Sequence, residues 1–178
     1  MTKLQTDINS ASISPRAMRD ACGCFATGVT VVTAMDTTGA VPKPVGITVN
    51  SFSSVSLDPP LVQYCLGLDA FSYRALSEAD YFIIHFLNSE QQNISNQFAS
   101  QGHDKFKDIP WETSLEGSPL LSMCKPRFEC RKHAIYEGGD HMIILGEVMR
   151  LTCDQTQEEE TANPDPLIYY KGAYRGIE

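Results

Sequence analysis

The sequence predicts a mainly β protein, one closed antiparallel barrel with helices packed around it. Three observations carry that expectation. Segments with strand character outnumber those with helical periodicity. Successive strand segments are mostly separated by short turns, which suits antiparallel pairing. The 178 residues contain no internal repeat and no linker composition, and that length supports one substantial core.

The first residues, MTKLQTDINSASI, are polar, lack the apolar segment of a secretory signal, and are expected to form a flexible arm (1–13) before one domain over 14–178. SISPRAMRDACGCFATG reads as a helix with both ends marked. Ser14 can cap its first turn, Pro15 suits the first helical position, and Gly28 suits a left-handed exit. Met18, Ala21, Cys22 and Phe25 follow the i, i+3, i+4, i+7 spacing of one buried face. VTVVTAM is β-branched and strand-like, and DTTG turns the chain. Pro42 and Pro44 push the start of the next strand to about Val45.

Leu61–Leu66 reads as a strand, FSYRALSEA as a short helix, and YFIIHFL as a strand. NSEQQNISNQFA is a helix capped by Asn88 or Ser89, with Ile94 and Phe98 on its inner side. A long loop runs through HDKFKDIPWETSLEGSPL. Two later strands, RFECRKHAIY and HMIILGEVMRLTC, flank the turn EGGD, whose glycines permit positive φ. Glu158–Glu160 reads as a solvated loop, and LIYYKGAYRG as a last strand or extended arm.

Composition narrows the function classes. A formal net charge of −8 with no basic face argues against nucleic-acid binding, although two local cations could still hold a small anionic ligand. No apolar run approaches the roughly 18–20 residues of a membrane span. Six cysteines without an export signal point to reduced thiols and a cytoplasmic protein. Cys22 and Cys24, two apart on a helix, point to different faces and cannot chelate one metal there, so no metal site is expected. There is no GxGxxG after a strand, no Walker loop and no GxSxG elbow. A Ser-His-Asp triad through His103 and Asp104 could be drawn from any serine-rich chain.

The informative stretch is TVNSFSSVSLDPPL, Thr48 to Leu61. Small hydrogen-bonding side chains alternate with Val49, Phe52, Val55 and Leu57, and Asp58 is its single charge. Hydroxyls, a carboxamide and the backbone of an irregular strand can hold a flat heteroaromatic ring largely without formal charge, while the apolar residues cover its faces. The alternative is a serine-rich edge strand entering a turn. Ser72, Arg74 and Lys105 lie near helix ends or loops where a phosphate could be bound. His141, directly after the tight turn Glu137–Asp140, can offer a fixed donor to a ligand.

In order along the chain, FATGVTVVT (Phe25–Thr33), GITVNSFSSVSLDPPLV (Gly46–Val62), QFASQGHDKF (Gln97–Phe106), EGGDHMIILGEV (Glu137–Val148) and PLIYYKGAY (Pro166–Tyr174) resemble the flavin reductase-like family. This is the FMN-binding split-barrel group that supplies reduced flavin to two-component monooxygenases. The resemblance implies an NAD(P)H-dependent flavin reductase with FMN (or FAD) as flavin and NADH or NADPH as co-substrate. It implies that Thr48, Val49, Asn50, Ser51, Ser53 and Ser54 lie along the flavin, with Cys65 and Leu66 flanking the ring. Ser72 and Arg74 match positions near the phosphate, and Phe98, Lys105 and Phe106 match the loop over the phosphate and ribityl side. Asp140 and His141 match the positions beside the nicotinamide. It further implies a homodimer with each flavin near the subunit interface. The pattern departs at His85, where relatives commonly have asparagine, at KPRFEC, and at PKP before the flavin strand. Two other readings share the same motifs: a flavin-binding module without turnover, and a flavin-dependent metal reductase.

Overall fold

The computed structural model describes residues 13–102, 104–153 and 164–177. His103, Glu158–Glu160 and the expected arm up to residue 12 lie outside the described residues. The elements are α1 (Pro15–Cys22), β1 (Thr27–Gly28), β2 (Thr30–Asp36), β3 (Lys43–Val49), β4 (Ser53–Leu57), β5 (Pro60–Gly67), α2 (Tyr73–Glu78), β6 (Tyr81–Phe86), a 3₁₀ turn (Ser89–Gln91), α3 (Gln92–Ala99), β7 (Trp111–Thr113), β8 (Pro119–Leu121), β9 (Arg127–Gly138), β10 (His141–Thr152), β11 (Ile168–Tyr170) and β12 (Ala173–Arg175).

Seven strands form one sheet in the order β3-β2-β6-β9-β10-β5-β4, every pairing antiparallel. Its two edge strands, β3 and β4, are consecutive in the chain and joined by Asn50, Ser51 and Phe52 alone. Four Cα steps reach at most about 14 Å, so the sheet must curl until its edges meet at that corner. Away from the corner β3 and β4 do not pair. The barrel is therefore split along one seam, where alternation alone predicts a closed one. Ser51 spans the divergence: its hydroxyl accepts from the Cys65 N–H at 2.9 Å and sits 3.3 Å from the Cys65 carbonyl, to which it donates.

Val32, Ala34, Tyr64, Leu66, Phe82 and Ile144 fill the barrel, and Leu76 of α2 packs into the same cluster. Outside β2 a second cluster joins Val29 and Val31 to Ile94 and Phe98 of α3 and to Leu121 of β8. Burial on both faces is why β2 reads as a continuous β-branched run and not as an alternating one.

Several expectations need correction. Ser14 does cap α1, accepting from the Ala17 N–H at 3.1 Å, but the helix ends at Cys22 and Gly28 lies in β1. Met18, Ala21, Cys22 and Phe25, expected to be buried, are all exposed, Phe25 by 76%. The spacing marks an apolar face, but α1 is a short helix outside the barrel and buries no residue. Pro44 sits inside β3, opposite Met35; an edge strand tolerates the missing donor. The long loop holds the β7–β8 hairpin, whose three-residue strands are too short to show a period. LIYYKGAYRG forms a hairpin, with Lys171 at φ +50° and Gly172 at φ +76° in its turn. In EGGD only Gly139 takes positive φ.

His85 locks these layers together. Fully buried, it contacts the Val31 carbonyl through Nδ1 at 3.2 Å and accepts from the Leu121 N–H through Nε2 at 3.0 Å. One neutral tautomer satisfies both bonds, and burial pushes its pKa down to about 3.

Candidate functional site

The seam leaves one edge of β3 without a strand partner, so that a row of backbone groups borders an opening in the barrel wall. Two sets of side chains gather there. Beside the N-terminal half of β3, Ser72 and Lys105 share a small recess with Pro44, Val45, Gly46 and Gly102. Ser72 occupies the N-cap position of α2, yet makes no capping bond; its residue is buried and its hydroxyl has no partner among the described residues. A serine at that position usually spends its oxygen on the helix.

Lys105 lies half-buried, and its ammonium donates to the carbonyls of Phe98 (2.8 Å) and Gly46 (3.3 Å). Burial lowers its pKa. Gly46 is required by the packing: a Cβ there would come within 2.7 Å of the Phe98 ring. That close approach seats α3 against β3 and sets the carbonyls that hold Lys105. Arg74 is not in this recess; it is exposed and pairs with Glu78 at 3.1 Å. Phe98 is fully buried, and its ring meets Phe106 edge-on at a centroid distance of 5.0 Å. These two rings support the recess from behind.

At the other end of β3, Asn50 and Ser53 and Ser54 beyond it are exposed. The Ser53 hydroxyl donates to the Ser54 carbonyl at 3.0 Å. Thr48 turns its hydroxyl onto the Ser95 carbonyl at 2.6 Å, Ser51 is committed to Cys65, and the side chains of Val49 and Leu66 lie in the core. Thr48, Val49, Ser51 and Leu66 can thus meet a ligand chiefly through their backbones. Within the sheet, β10 aligns His141 with Gly67 and Ile143 with Cys65 of its neighbour β5. The imidazole Nδ1 lies 2.7 Å from Asp140 Oδ1, which lowers the Asp140 pKa. The half-exposed ring stands over Gly67, whose tightest neighbour is the Asp69 carboxylate. Ser72 and Lys105 thus line one recess beside β3, Ser51 ties the corner between β3 and β4 to Cys65, His141 lies opposite Gly67, and Arg74 pairs with Glu78 outside the recess.

Thr27 was not singled out in the sequence. Its buried hydroxyl lacks a partner among the described residues, and it lines two grooves that both reach Asn50. FATGVTVVT carried it, but a threonine before a glycine and a valine run gives no sign of an orphaned oxygen. Among the described residues no group of three His, Cys, Asp or Glu side chains is placed to hold a metal, all six cysteines are free thiols, and no helix is long and apolar enough to cross a membrane.

The profile of the flavin reductase like domain matches residues 22–178. The chain belongs to that family. An FMN reductase (NADH), SmoA, from Agrobacterium fabrum is 43% identical over 159 residues, covering 89% of this chain and 84% of that protein. A flavin-dependent monooxygenase reductase subunit, HsaB, from Mycobacterium tuberculosis is 36% identical, covering 95% and 86%. A probable flavin reductase from Rhizobium meliloti, also 43% identical, is longer, and this chain spans 48% of it. The structure of the NADH:FAD oxidoreductase SgcE6 from Streptomyces globisporus, in complex with NAD and FAD fragments, superposes with a TM-score of 0.82 at 34% identity, covering 98% of each chain. Family membership extends the resemblance seen in five motifs to a single alignment from Cys22 onward.

Proposed function

We propose that this chain is an NAD(P)H-dependent flavin reductase that binds FMN, or FAD, along the β3 seam and supplies reduced flavin to a separate monooxygenase component. The observation that carries the reading is the recess beside β3 that Ser72 and Lys105 both line, where the buried Ser72 hydroxyl has no partner among the described residues. A buried hydroxyl without a partner is costly, and a phosphate oxygen would satisfy it. A cationic donor in the same recess fits that phosphate as a charge-assisted partner. The residues present therefore fit a flavin phosphate at one end and a neutral, polar ring edge at the other.

Bound flavin supplies the hydride-accepting chemistry. The chain supplies position. Ser72 and Lys105 hold the phosphate, with Arg74 able to swing from Glu78 as a long-range cation. The backbone of Thr48–Ser51 and the side chains of Asn50, Ser53 and Ser54 face the polar edge of the ring. Cys65 and Leu66 form the wall behind it, and Phe98 and Phe106 keep the Lys105 loop in place. Asp140 orients His141 through the 2.7 Å contact at Nδ1, leaving Nε2 over Gly67 to meet the nicotinamide. Holding two rings at near contact converts an encounter into an oriented reaction, and that is the main source of rate here.

The reading extends to a cytoplasmic homodimer, supported by the exposed apolar residues Phe25, Leu57 and Leu151. The test is steady-state pyridine-nucleotide oxidation by the purified chain, with FMN, FAD or riboflavin added. Flavin-dependent oxidation is expected; a chain that binds FMN but does not accelerate oxidation would be a flavin-binding module instead.

A further inference from the structure

The largest groove of the molecule, about 730 Å³, lies between the end of α1 and the β11–β12 hairpin, away from the Ser72–Lys105 recess. We propose that this groove binds the phosphate-bearing half of the pyridine nucleotide, with Arg19 and Lys171 as its anionic-group partners. The inference rests on the reading of the β3 seam as the flavin site and adds a subsite to it.

Four observations lead there. The groove reaches Asn50, so it is continuous with the strand that borders the ring position. Its walls are cationic in a chain whose net charge is −8: Arg19 comes from α1 and Lys171 from the hairpin turn, against Asp20 as the one acid of the lining. The walls are fastened to each other, since the Lys171 N–H donates to the Gly23 carbonyl at 2.8 Å. Thr27 lines the same groove, and its hydroxyl is buried without a partner among the described residues.

Local geometry holds both cations in readiness. Arg19 Nε donates to the Pro15 carbonyl at 3.1 Å, which fixes the guanidinium while its terminal nitrogens remain able to fork onto a phosphate. Lys171 occupies a left-handed backbone position, φ +50°, that an ordinary hairpin would give to asparagine or glycine. Its ammonium lies 5.2 Å from the Tyr170 ring centroid. A dinucleotide that places its nicotinamide near Asn50 would then lay its pyrophosphate along these cations. Arg19 belongs to α1, which supplies this wall.

The experiment compares NADH with dihydronicotinamide riboside, which has the same reacting ring and no phosphate, at saturating FMN. In Arg19→Ala and Lys171→Ala, KM for NADH should rise by roughly tenfold each, as for loss of a charge-assisted hydrogen bond. KM for the riboside should move by less than about twofold, and Arg19→Lys should recover part of the NADH loss. FMN affinity, measured by titration, should stay at the wild-type value in both variants. An unchanged NADH KM, or equal losses for NADH and the riboside, overturns the proposal. Failure of the wild-type chain to bind FMN would strike the seam reading itself, and is seen before any variant is made.

Discussion

Replacing Ser72 by alanine should move stability and ligand affinity in opposite directions. In the ligand-free protein the hydroxyl is buried without a partner among the described residues, and it does not cap α2. Its removal therefore forfeits no folded-state hydrogen bond and relieves a desolvated group, so stability should hold or rise by up to about 1 kcal/mol. A hydrogen bond to a charged phosphate is worth about 1.5–3 kcal/mol, which predicts FMN binding weaker by roughly ten- to a hundredfold. Riboflavin, without the phosphate, should lose less than about threefold. Lys105→Met supplies the contrast. It should weaken FMN similarly but also lower stability, because the Phe98 and Gly46 carbonyls lose their donor. Urea unfolding and calorimetric titration of both ligands make the comparison. A Ser72→Ala protein less stable by more than about 1 kcal/mol, or one that loses FMN and riboflavin equally, would refute the reasoning.

Gly46→Ala must displace the Phe98 ring, so it should cost about 1–3 kcal/mol in urea unfolding and weaken FMN by disturbing the Lys105 carbonyls. His85 should make the fold acid-sensitive. Burial sets its folded pKa, about 3, below the ordinary 6.5, so its contribution is complete above about pH 6.5 and is lost as pH falls toward 3. Between pH 6.5 and 5.0 the loss is about 2 kcal/mol, and urea melts of His85→Gln should lack that part of the slope. His141→Ala should leave FMN affinity near wild type and slow reduction of bound flavin, or raise the nucleotide KM, by roughly five- to thirtyfold; stopped-flow traces indistinguishable from wild type would make it an ordinary turn residue.

Much of the barrel was legible because its strands carry strong local signals. YFIIHFL and HMIILGEVMRLTC became β6 and β10 to within one residue at the C-terminal end, and the 3₁₀ turn that leads into α3 begins where Asn88 caps the chain. What failed was information that only packing supplies. Of the spacing Met18, Ala21, Cys22 and Phe25 only the first three fall on α1, which ends at Cys22, and nothing local says that the barrel will not cover them. The split seam was visible only through the resemblance, since β3 and β4 each look like ordinary strands and their divergence depends on the Ser51–Cys65 bridge. At the site, residue types were readable and their commitments were not. Thr48 and Ser51 spend their hydroxyls on the protein, Arg74 pairs with Glu78, and the Ser72 oxygen has no partner among the described residues. Those differences depend on neighbours far apart in sequence, as Gly46 depends on Phe98.

Hydride transfer within the seam is tested most directly by an anaerobic stopped-flow experiment in which FMN-loaded protein meets one equivalent of NADH. The account predicts that the visible flavin band bleaches in step with loss of the NADH absorption, one for one, and more slowly when the transferred hydrogen of NADH is deuterium. Bound FMN that stays oxidised while NADH persists, under conditions where titration shows the seam filled, would contradict it.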